Sequence, residues 1–254
     1  MNMPSGNSDS SPSATGKKTA LVTGAGTGIG AACAKALAVA GFNVALHYNQ
    51  SAEAAERLSR ELPGSFLLQA DLTQTTHMDR LTDELKDNGG CDVLVNNAGL
   101  CIDAPLFSAK LEDFDLVVSA NMRSAWYLTK KLGRQMMKKR DGRIINISSV
   151  VGHTGNAGQT IYAMTKAAID NLTLSSAQEL APFGILVNSI APGFIETRMT
   201  EKLAEPVRAA ILARVPLGRM GRPEEIAQLV RFLAVEGTYC TGSTFHANGG
   251  MYGG

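Results

Sequence analysis

Tyr162 and Lys166 stand one helical turn apart in the run Ile161-Tyr-Ala-Met-Thr-Lys166, a spacing that puts a phenol and an ammonium on one helix face. A tyrosine ionises near pH 10 and moves protons poorly at neutral pH. A unit positive charge about 4 Å away is worth roughly 4 kcal/mol at an effective dielectric of about 20, or about three pKa units. Lys166 is therefore expected to lower the Tyr162 pKa and make the phenol an acid-base group. Any amphipathic helix can carry the same spacing, so the pair gains its meaning from the residues around it.

Those residues include Thr23-Gly-Ala-Gly-Thr-Gly-Ile-Gly30, which follows the apolar run Thr19 to Val22 and opens the helical pattern Ala31 to Ala40. Strand, glycine turn and helix in that order make a dinucleotide site: the glycines allow a tight turn and let the backbone approach a pyrophosphate at a helix N-terminus. Gly24, Ala25, Gly26, Thr27, Gly28, Ile29 and Gly30 are the expected cradle.

The pattern that must position these groups alternates strand and helix. Apolar strand candidates fall near Thr19 to Thr23, Asn43 to His47, Ser65 to Gln69, Val93 to Val95, Arg143 to Ile147, Leu186 to Ile190 and Ser243 to His246. Helix candidates cover about 28–40, 52–62, 75–88, 109–139, 160–182, 199–213 and 223–235. Seven strands with intervening helices predict a single-domain, Rossmann-type α/β fold, a doubly wound, mainly parallel sheet with helices on both faces. In such sheets ligands bind beyond the carboxyl ends of the strands, where the polar motifs of this chain fall one after another.

With 254 residues and 44% hydrophobic content, one domain over residues 17–254 has enough chain for a full core. Residues 1–16 are rich in Ser, Gly, Asn and Pro, without the apolar run of a secretory signal or the arginines of a mitochondrial presequence, and read as a disordered tail. No stretch approaches the roughly 20 apolar residues that span a bilayer. The net charge of +1 gives no global reason to expect nucleic acid or a membrane as partner. Cys33, Cys91, Cys101 and Cys240 lie far apart and fit buried, reduced thiols of a cytosolic, cytoplasmic protein. His47, His77, His153 and His246 are scattered too, so no metal site is expected.

Over about residues 17–254 the chain resembles the short-chain dehydrogenase/reductase family. Thr23-Gly24 with Gly28 and Gly30 matches its cofactor turn, Asn96-Asn-Ala-Gly99 its fourth-strand motif and Asn121 its mid-helix asparagine. Tyr162 with Lys166 matches its active-site pair, and Pro192-Gly193 its sixth-strand motif. The family serine lies thirteen residues before the tyrosine, which selects Ser149 over Ser148; in an extended segment only one of two neighbours faces a given side. The resemblance implies an NAD(P)-dependent oxidoreductase. Tyr162 would donate a proton to a substrate oxygen during reduction, Ser149 would hydrogen-bond that oxygen, and Lys166 would tune the phenol and bind the nicotinamide ribose. Asn121 would interrupt its helix and hold a water that links Lys166 to solvent. The resemblance also implies cofactor contacts from Asp71 and Leu72 at the adenine, from Asn97, Ala98 and Gly99 along the ribose, and from Pro192, Gly193, Ile195 and Thr197 towards the carboxamide. Asp71 ends the third strand, so a turn role stands beside the adenine contact.

Cofactor choice rests on His47-Tyr-Asn-Gln-Ser51 at the end of the second strand, where an NAD enzyme usually has a carboxylate for the ribose 2'-hydroxyl. No carboxylate appears before Glu53, and Asn49, Gln50 and Ser51 can hydrogen-bond a 2'-phosphate without neutralising it. NADPH is the expected cofactor, with NADH as the alternative.

Within the family, four second-half segments are similar to the 3-oxoacyl-[acyl-carrier-protein] reductases. They are Ser149-Val-Val-Gly-His-Thr-Gly-Asn156, Ala191-Pro-Gly-Phe-Ile-Glu-Thr197, Val215-Pro-Leu-Gly-Arg-Met-Gly-Arg-Pro-Glu-Glu225 and His246-Ala-Asn-Gly-Gly-Met251. The implied reaction reduces a 3-oxoacyl thioester to the 3-hydroxyacyl thioester, as in fatty acid biosynthesis. The alternatives are an NAD(P)-dependent secondary alcohol or sugar dehydrogenase and a non-catalytic dinucleotide-sensing protein.

A carrier protein is acidic, and Lys130-Lys-Leu-Gly-Arg-Gln-Met-Met-Lys-Lys-Arg140 makes a basic patch that would attract it through Lys138, Lys139 and Arg140. The same cations would complement a helix C-terminus. Arg140 matches a basic docking position of the family; a second such position is Phe183 here, which leaves a CoA thioester as the alternative substrate. The resemblance further implies a homotetramer, with faces on the helices at 109–139 and 160–182, and a lid over Thr197 to Val215. Met199, Leu203 and Ile211 of that lid would meet an acyl chain or simply pack.

Overall fold

The computed structural model describes residues 16–197 and 205–253. The tail expected over residues 1–16 lies outside them except for Gly16, and Met199 and Leu203 of the expected lid lie outside them as well.

Strands β1 (Thr19–Val22), β2 (Asn43–Tyr48), β3 (Phe66–Gln69), β4 (Val93–Asn96), β5 (Gly142–Ile147), β6 (Ile185–Pro192) and β7 (Thr244–Ala247) form one sheet. Their order is β3-β2-β1-β4-β5-β6-β7, with every neighbouring pair parallel. Between and around them run α1 (Gly28–Val39), α2 (Ala52–Glu61), α3 (Thr75–Asp87), α4 (Leu111–Val118), α5 (Ser124–Lys139), α6 (Val151–Thr154), α7 (Thr160–Leu180), α8 (Glu205–Leu212) and α9 (Pro223–Val235).

Parallel strands covered on both faces read as short continuous apolar runs, and all four residues of β1 are buried. Successive side chains point to opposite faces. Ala20 and Val22 therefore join the core that holds Cys33 and Leu37 of α1 and Val230 and Leu233 of α9. Leu21 joins the other core, with Leu81 and Leu85 of α3 and Leu128 and Leu132 of α5. Full burial of each such leucine is worth about 1.5–3 kcal/mol.

The helix expected over 109–139 is divided. Between α4 and α5 lies a π-helical turn, Ser119–Arg123, and Asn121 is its buried residue. Such turns break an α-helix for a local purpose; here Asn121 uses the break to pair with the chain after β4. The four-residue α6, one residue beyond Ser149, has no counterpart in the sequence expectation.

Cys33 and Cys91 are buried, but Cys101 and Cys240 are only half-buried, unlike the expectation for all four. Cys101 follows β4 on the loop beside the site, where packing is incomplete. Among the described residues no helix is long and apolar enough to cross a membrane. The order β3-β2-β1-β4 reverses direction between β1 and β4, and at this switch a crevice opens at the carboxyl ends of the strands.

Candidate active site

The glycine turn leaves β1 at the crevice. Gly24 and Gly28 hold φ of 65° and 55°, left-handed values that other residues rarely adopt. Close approach constrains two more. A Cβ at Gly30 would lie 2.2 Å from the Gly24 carbonyl oxygen and 2.6 Å from Asn97 Nδ2, and one at Gly26 would lie 2.5 Å from Ser51 Oγ. Ala25 is fully buried beneath the turn and Ile29 packs on the α1 side of the core. Thr27 precedes α1 without a side-chain cap, which leaves amides of the first helical turn for an anion.

Two side chains brace the turn from below. Asn97 Nδ2 donates to the carbonyls of Thr23 (2.8 Å) and Gly24 (3.3 Å), while the N–H groups of Asn97 and Ala98 donate to Thr23 Oγ1 at 2.9 Å each. His47, 2% exposed at the end of β2, accepts the Gly24 N–H at Nδ1 (3.1 Å). Its role was not visible in the sequence, because only the sheet brings residues 24 and 47 together.

Other expected contacts distribute unevenly. Asn49 and Gln50 are exposed beyond β2 and Ser51 is half-buried beside Gly26. Asp71 makes a turn: its Oδ1 accepts from Thr73 N (2.9 Å) and Thr73 Oγ1 (2.7 Å). Leu72 is buried in the core with Met78 and Leu68, so its side chain is withdrawn from the crevice and only its backbone is available there. Pro192 ends β6 and accepts the Val150 N–H (2.8 Å); a Cβ at Gly193 would strike Asn248 Cα at 2.8 Å. Ile195 bridges to Gly221, and the Thr197 methyl lies 3.3 Å from where a Cβ on Gly28 would be, so the start of the expected lid touches the glycine turn. Ile211 on α8 is buried, in keeping with plain packing.

Ser149, Tyr162, Lys166 and Asn121 meet beyond β4 and β5. Ser148 turns inward, its hydroxyl donating to Asp170 Oδ2 (2.6 Å), while Ser149 is half-buried and hydrogen-bonded with the Tyr162 phenol. Lys166 is 5% exposed; its Nζ donates to the Ile147 carbonyl (2.7 Å) and lies 5.5 Å from the Tyr162 ring centre. A Cβ at Gly99 would stand 3.4 Å from Asn121 Oδ1 and 3.6 Å from Lys166 Nζ, so the absence of one keeps this corner open. Asn121 Oδ1 accepts the Leu100 N–H (2.7 Å), and its Nδ2 donates to the Leu100 carbonyl (2.9 Å) and to Thr165 Oγ1 (3.1 Å).

The expected lowering of the Tyr162 pKa is not found. Burial first, and then the negative charge of Asp103, push the phenol up to about 12, against the Ser149 hydrogen bond. Burial also pulls Lys166 down to about 8, against the attraction of Asp170. An ammonium that loses its proton near pH 8 is neutral over the range where such a phenol ionises, so it cannot pull the phenol down there.

A polar brace on the far side of Tyr162 also escaped the sequence reading. Gln159 Nε2 donates to Asp103 Oδ1 (3.0 Å) and lies 3.5 Å from Cys101 Sγ, which itself donates to Asp103 Oδ1 (3.0 Å). Burial and then Asp103 raise the Cys101 thiol to about 12, which makes it an inert hydrogen-bond donor.

Much of the basic patch is already paired. Lys131 meets Asp79 (2.7 Å), Lys139 meets Asp92 (2.9 Å), and Arg140 donates to the Pro182 carbonyl (2.7 Å) with its guanidinium 5.9 Å from the Phe183 ring centre. Lys130 lies over the Trp126 ring at 5.2 Å, and Lys138 sits in the last turn of α5.

A family model described as enoyl-(acyl carrier protein) reductase matches residues 24–252. A 3-oxoacyl-[acyl-carrier-protein] reductase FabG of Staphylococcus aureus is 43% identical over 241 residues, which cover 92% of this chain and 98% of that protein. Its namesake from Vibrio cholerae is 46% identical over 240 residues, covering 92% and 97%. A solved structure described as a putative gluconate dehydrogenase of Agrobacterium tumefaciens superposes with a TM-score of 0.89 at 30% identity, covering 93% of this chain and 96% of that one.

Proposed function

The chain belongs to the short-chain dehydrogenase/reductase family, and from that membership we propose that it reduces a 3-oxoacyl thioester to the 3-hydroxyacyl thioester with NADPH. The observation that carries the reading is the meeting of Ser149, Tyr162 and Lys166 beside a glycine turn in which a Cβ at residue 26 or 30 would collide. The near full-length likeness to 3-oxoacyl-[acyl-carrier-protein] reductases supports the substrate class.

The shape of the turn and the uncapped start of α1 fit a dinucleotide. Within the turn of residues 24–30 the amides from Gly26 onward would hold its pyrophosphate, and Asn49, Gln50 and Ser51 the 2'-phosphate end. The backbone at Asp71 and Leu72 would meet the adenine, Asn97 to Gly99 with Lys166 the nicotinamide ribose, and Pro192, Gly193, Ile195 and Thr197 the carboxamide. When bound, the reduced nicotinamide supplies a hydride. Every other part of the reaction belongs to the chain. Ser149 holds the substrate carbonyl oxygen by a hydrogen bond. Tyr162, whose phenol stays protonated to high pH, donates its proton to that oxygen as negative charge develops. Lys166 keeps a positive charge near the phenol below about pH 8 and stabilises the phenolate left behind. Asn121 fixes the Leu100 segment and Thr165 around this corner.

The thioester enters as a CoA or a carrier-protein conjugate. Lys138, in the last turn of α5, is the cation of the expected trio best placed to attract an acidic carrier, since Lys139 and Arg140 are occupied within the chain. A homotetramer with faces on α4, α5 and α7 accords with exposed Leu116, Trp126, Met164 and Leu174. The polar brace of Asp103 and Gln159 favours one second reading, an NAD(P)-dependent dehydrogenase of a sugar or secondary alcohol.

Initial rates with acetoacetyl-CoA and an acetoacetyl carrier-protein thioester, each with NADPH and NADH, decide between them. Fast NADPH oxidation with a thioester is expected, reduced by about 10²-fold or more in Tyr162→Phe. No turnover of either thioester, with oxidation of a sugar or alcohol in its place, would move the assignment to the second reading.

A further inference from the structure

His47 is buried and its two ring nitrogens bond in opposite directions. Nδ1 faces the Gly24 N–H at 3.1 Å and Nε2 faces the Ala70 carbonyl oxygen at 3.0 Å. An amide N–H can only donate and a carbonyl oxygen can only accept, so the ring is neutral with its proton on Nε2. The main chain of the same residue takes the next amide of the turn, with Ala25 N donating to His47 O at 2.9 Å. One residue of β2 thus consumes the first two amides of the glycine turn. On the other side of the same segment, Asn97 Nδ2 holds the Thr23 and Gly24 carbonyls.

The peptide between Thr23 and Gly24 is therefore gripped at its oxygen by Asn97, just after β4, and at its nitrogen by His47 of β2. With these amides turned into the fold, those further along, from Gly26 into α1, are the ones left for an anion. We infer that His47 is a positioning residue for the dinucleotide turn, acting through the Nδ1 bond to Gly24, while its Nε2 bond to Ala70 serves to orient the ring. Burial pulls the imidazole down to about 4, in line with a ring that stays neutral.

This role rests on the dinucleotide reading, and its test separates the two. NADPH dissociation constants would be measured by nicotinamide fluorescence for the wild-type chain and for His47→Asn, His47→Gln and His47→Leu, with melting temperatures taken without cofactor. Asn can place an oxygen near the position of Nδ1, whereas Gln reaches towards that of Nε2 and serves Ala70 instead. The expected result is affinity within about threefold of wild type for Asn and about tenfold weaker for Gln and Leu, the scale of one lost hydrogen bond. The melting temperature should fall for Asn as well as for Gln, because each loses one of the two bonds. Equal weakening in Asn and Gln, or unchanged affinity in both, would overturn the role. Failure of the wild-type chain to bind NADPH or NADH would overturn the dinucleotide reading and this role with it.

Discussion

At the scale of single residues, the site runs on two groups whose burial moves them in opposite directions. The Tyr162 phenol is held up at about 12 and the Lys166 ammonium down at about 8, so both carry their protons at neutral pH. The fraction of Lys166 that is charged falls as pH rises through about 8. The rate of carbonyl reduction is expected to be level below that pH and to fall about tenfold per unit above it. Asp170→Asn removes a carboxylate that holds the Lys166 pKa up, so it should shift the limb to lower pH. A limb that stays put would detach it from Lys166. Unfolding cannot mimic this loss: between the folded value of about 8 and the ordinary 10.5 the unfolded chain binds the extra proton, so the lysine contributes more stability as pH rises. The spacing of Tyr162 and Lys166 was legible in the sequence. Their pKa values were not, because burial comes from the folded chain and the Asp103 charge from a loop about 60 residues away.

At the scale of elements, the π-helical turn is the least regular feature and the one most tied to the site. Asn121→Leu would strip partners from the Leu100 N–H and C=O and from Thr165 Oγ1. Thr165 Oγ1 keeps its bond to the Tyr162 carbonyl, and each of the two Leu100 groups left unsatisfied costs about 1–3 kcal/mol, so a loss of about 2–5 kcal/mol is expected in denaturant unfolding, together with lower activity. A variant within about 0.5 kcal/mol of wild type would mean that the turn supports itself. The seven strands were legible because parallel strands buried on both faces read as short apolar runs. The division of the helix at 109–139 was not, since its apolar spacing survives on either side of Ser119–Arg123. The four residues of α6 were too few for any period to show, and the clamp of His47 on Gly24 depends on the register of β2 beside β1, Leu21↔Ala45 and Val22↔Leu46.

At the scale of the whole molecule, a net charge of +1 conceals a surface on which many cations already have partners. Replacing Lys130 and Lys138 together by Glu should lower kcat/KM for the carrier-protein thioester by about tenfold at low salt, through slower encounter. The value for acetoacetyl-CoA should stay within about twofold. Equal loss on both substrates would place the effect inside the site. The order of the sheet has a consequence in time. Among the described strands β1 is the first to leave the ribosome, and it lies inside the sheet; Thr19 meets Asn43 of β2, but Ala20 meets Val93 of β4. At roughly 5–20 residues per second of synthesis, β1 keeps one open edge for on the order of 4–15 s. Thr23, whose hydroxyl receives the amides of Asn97 and Ala98, waits equally long for them. The crevice has two walls of different age, and the older one is held first by β2 and His47.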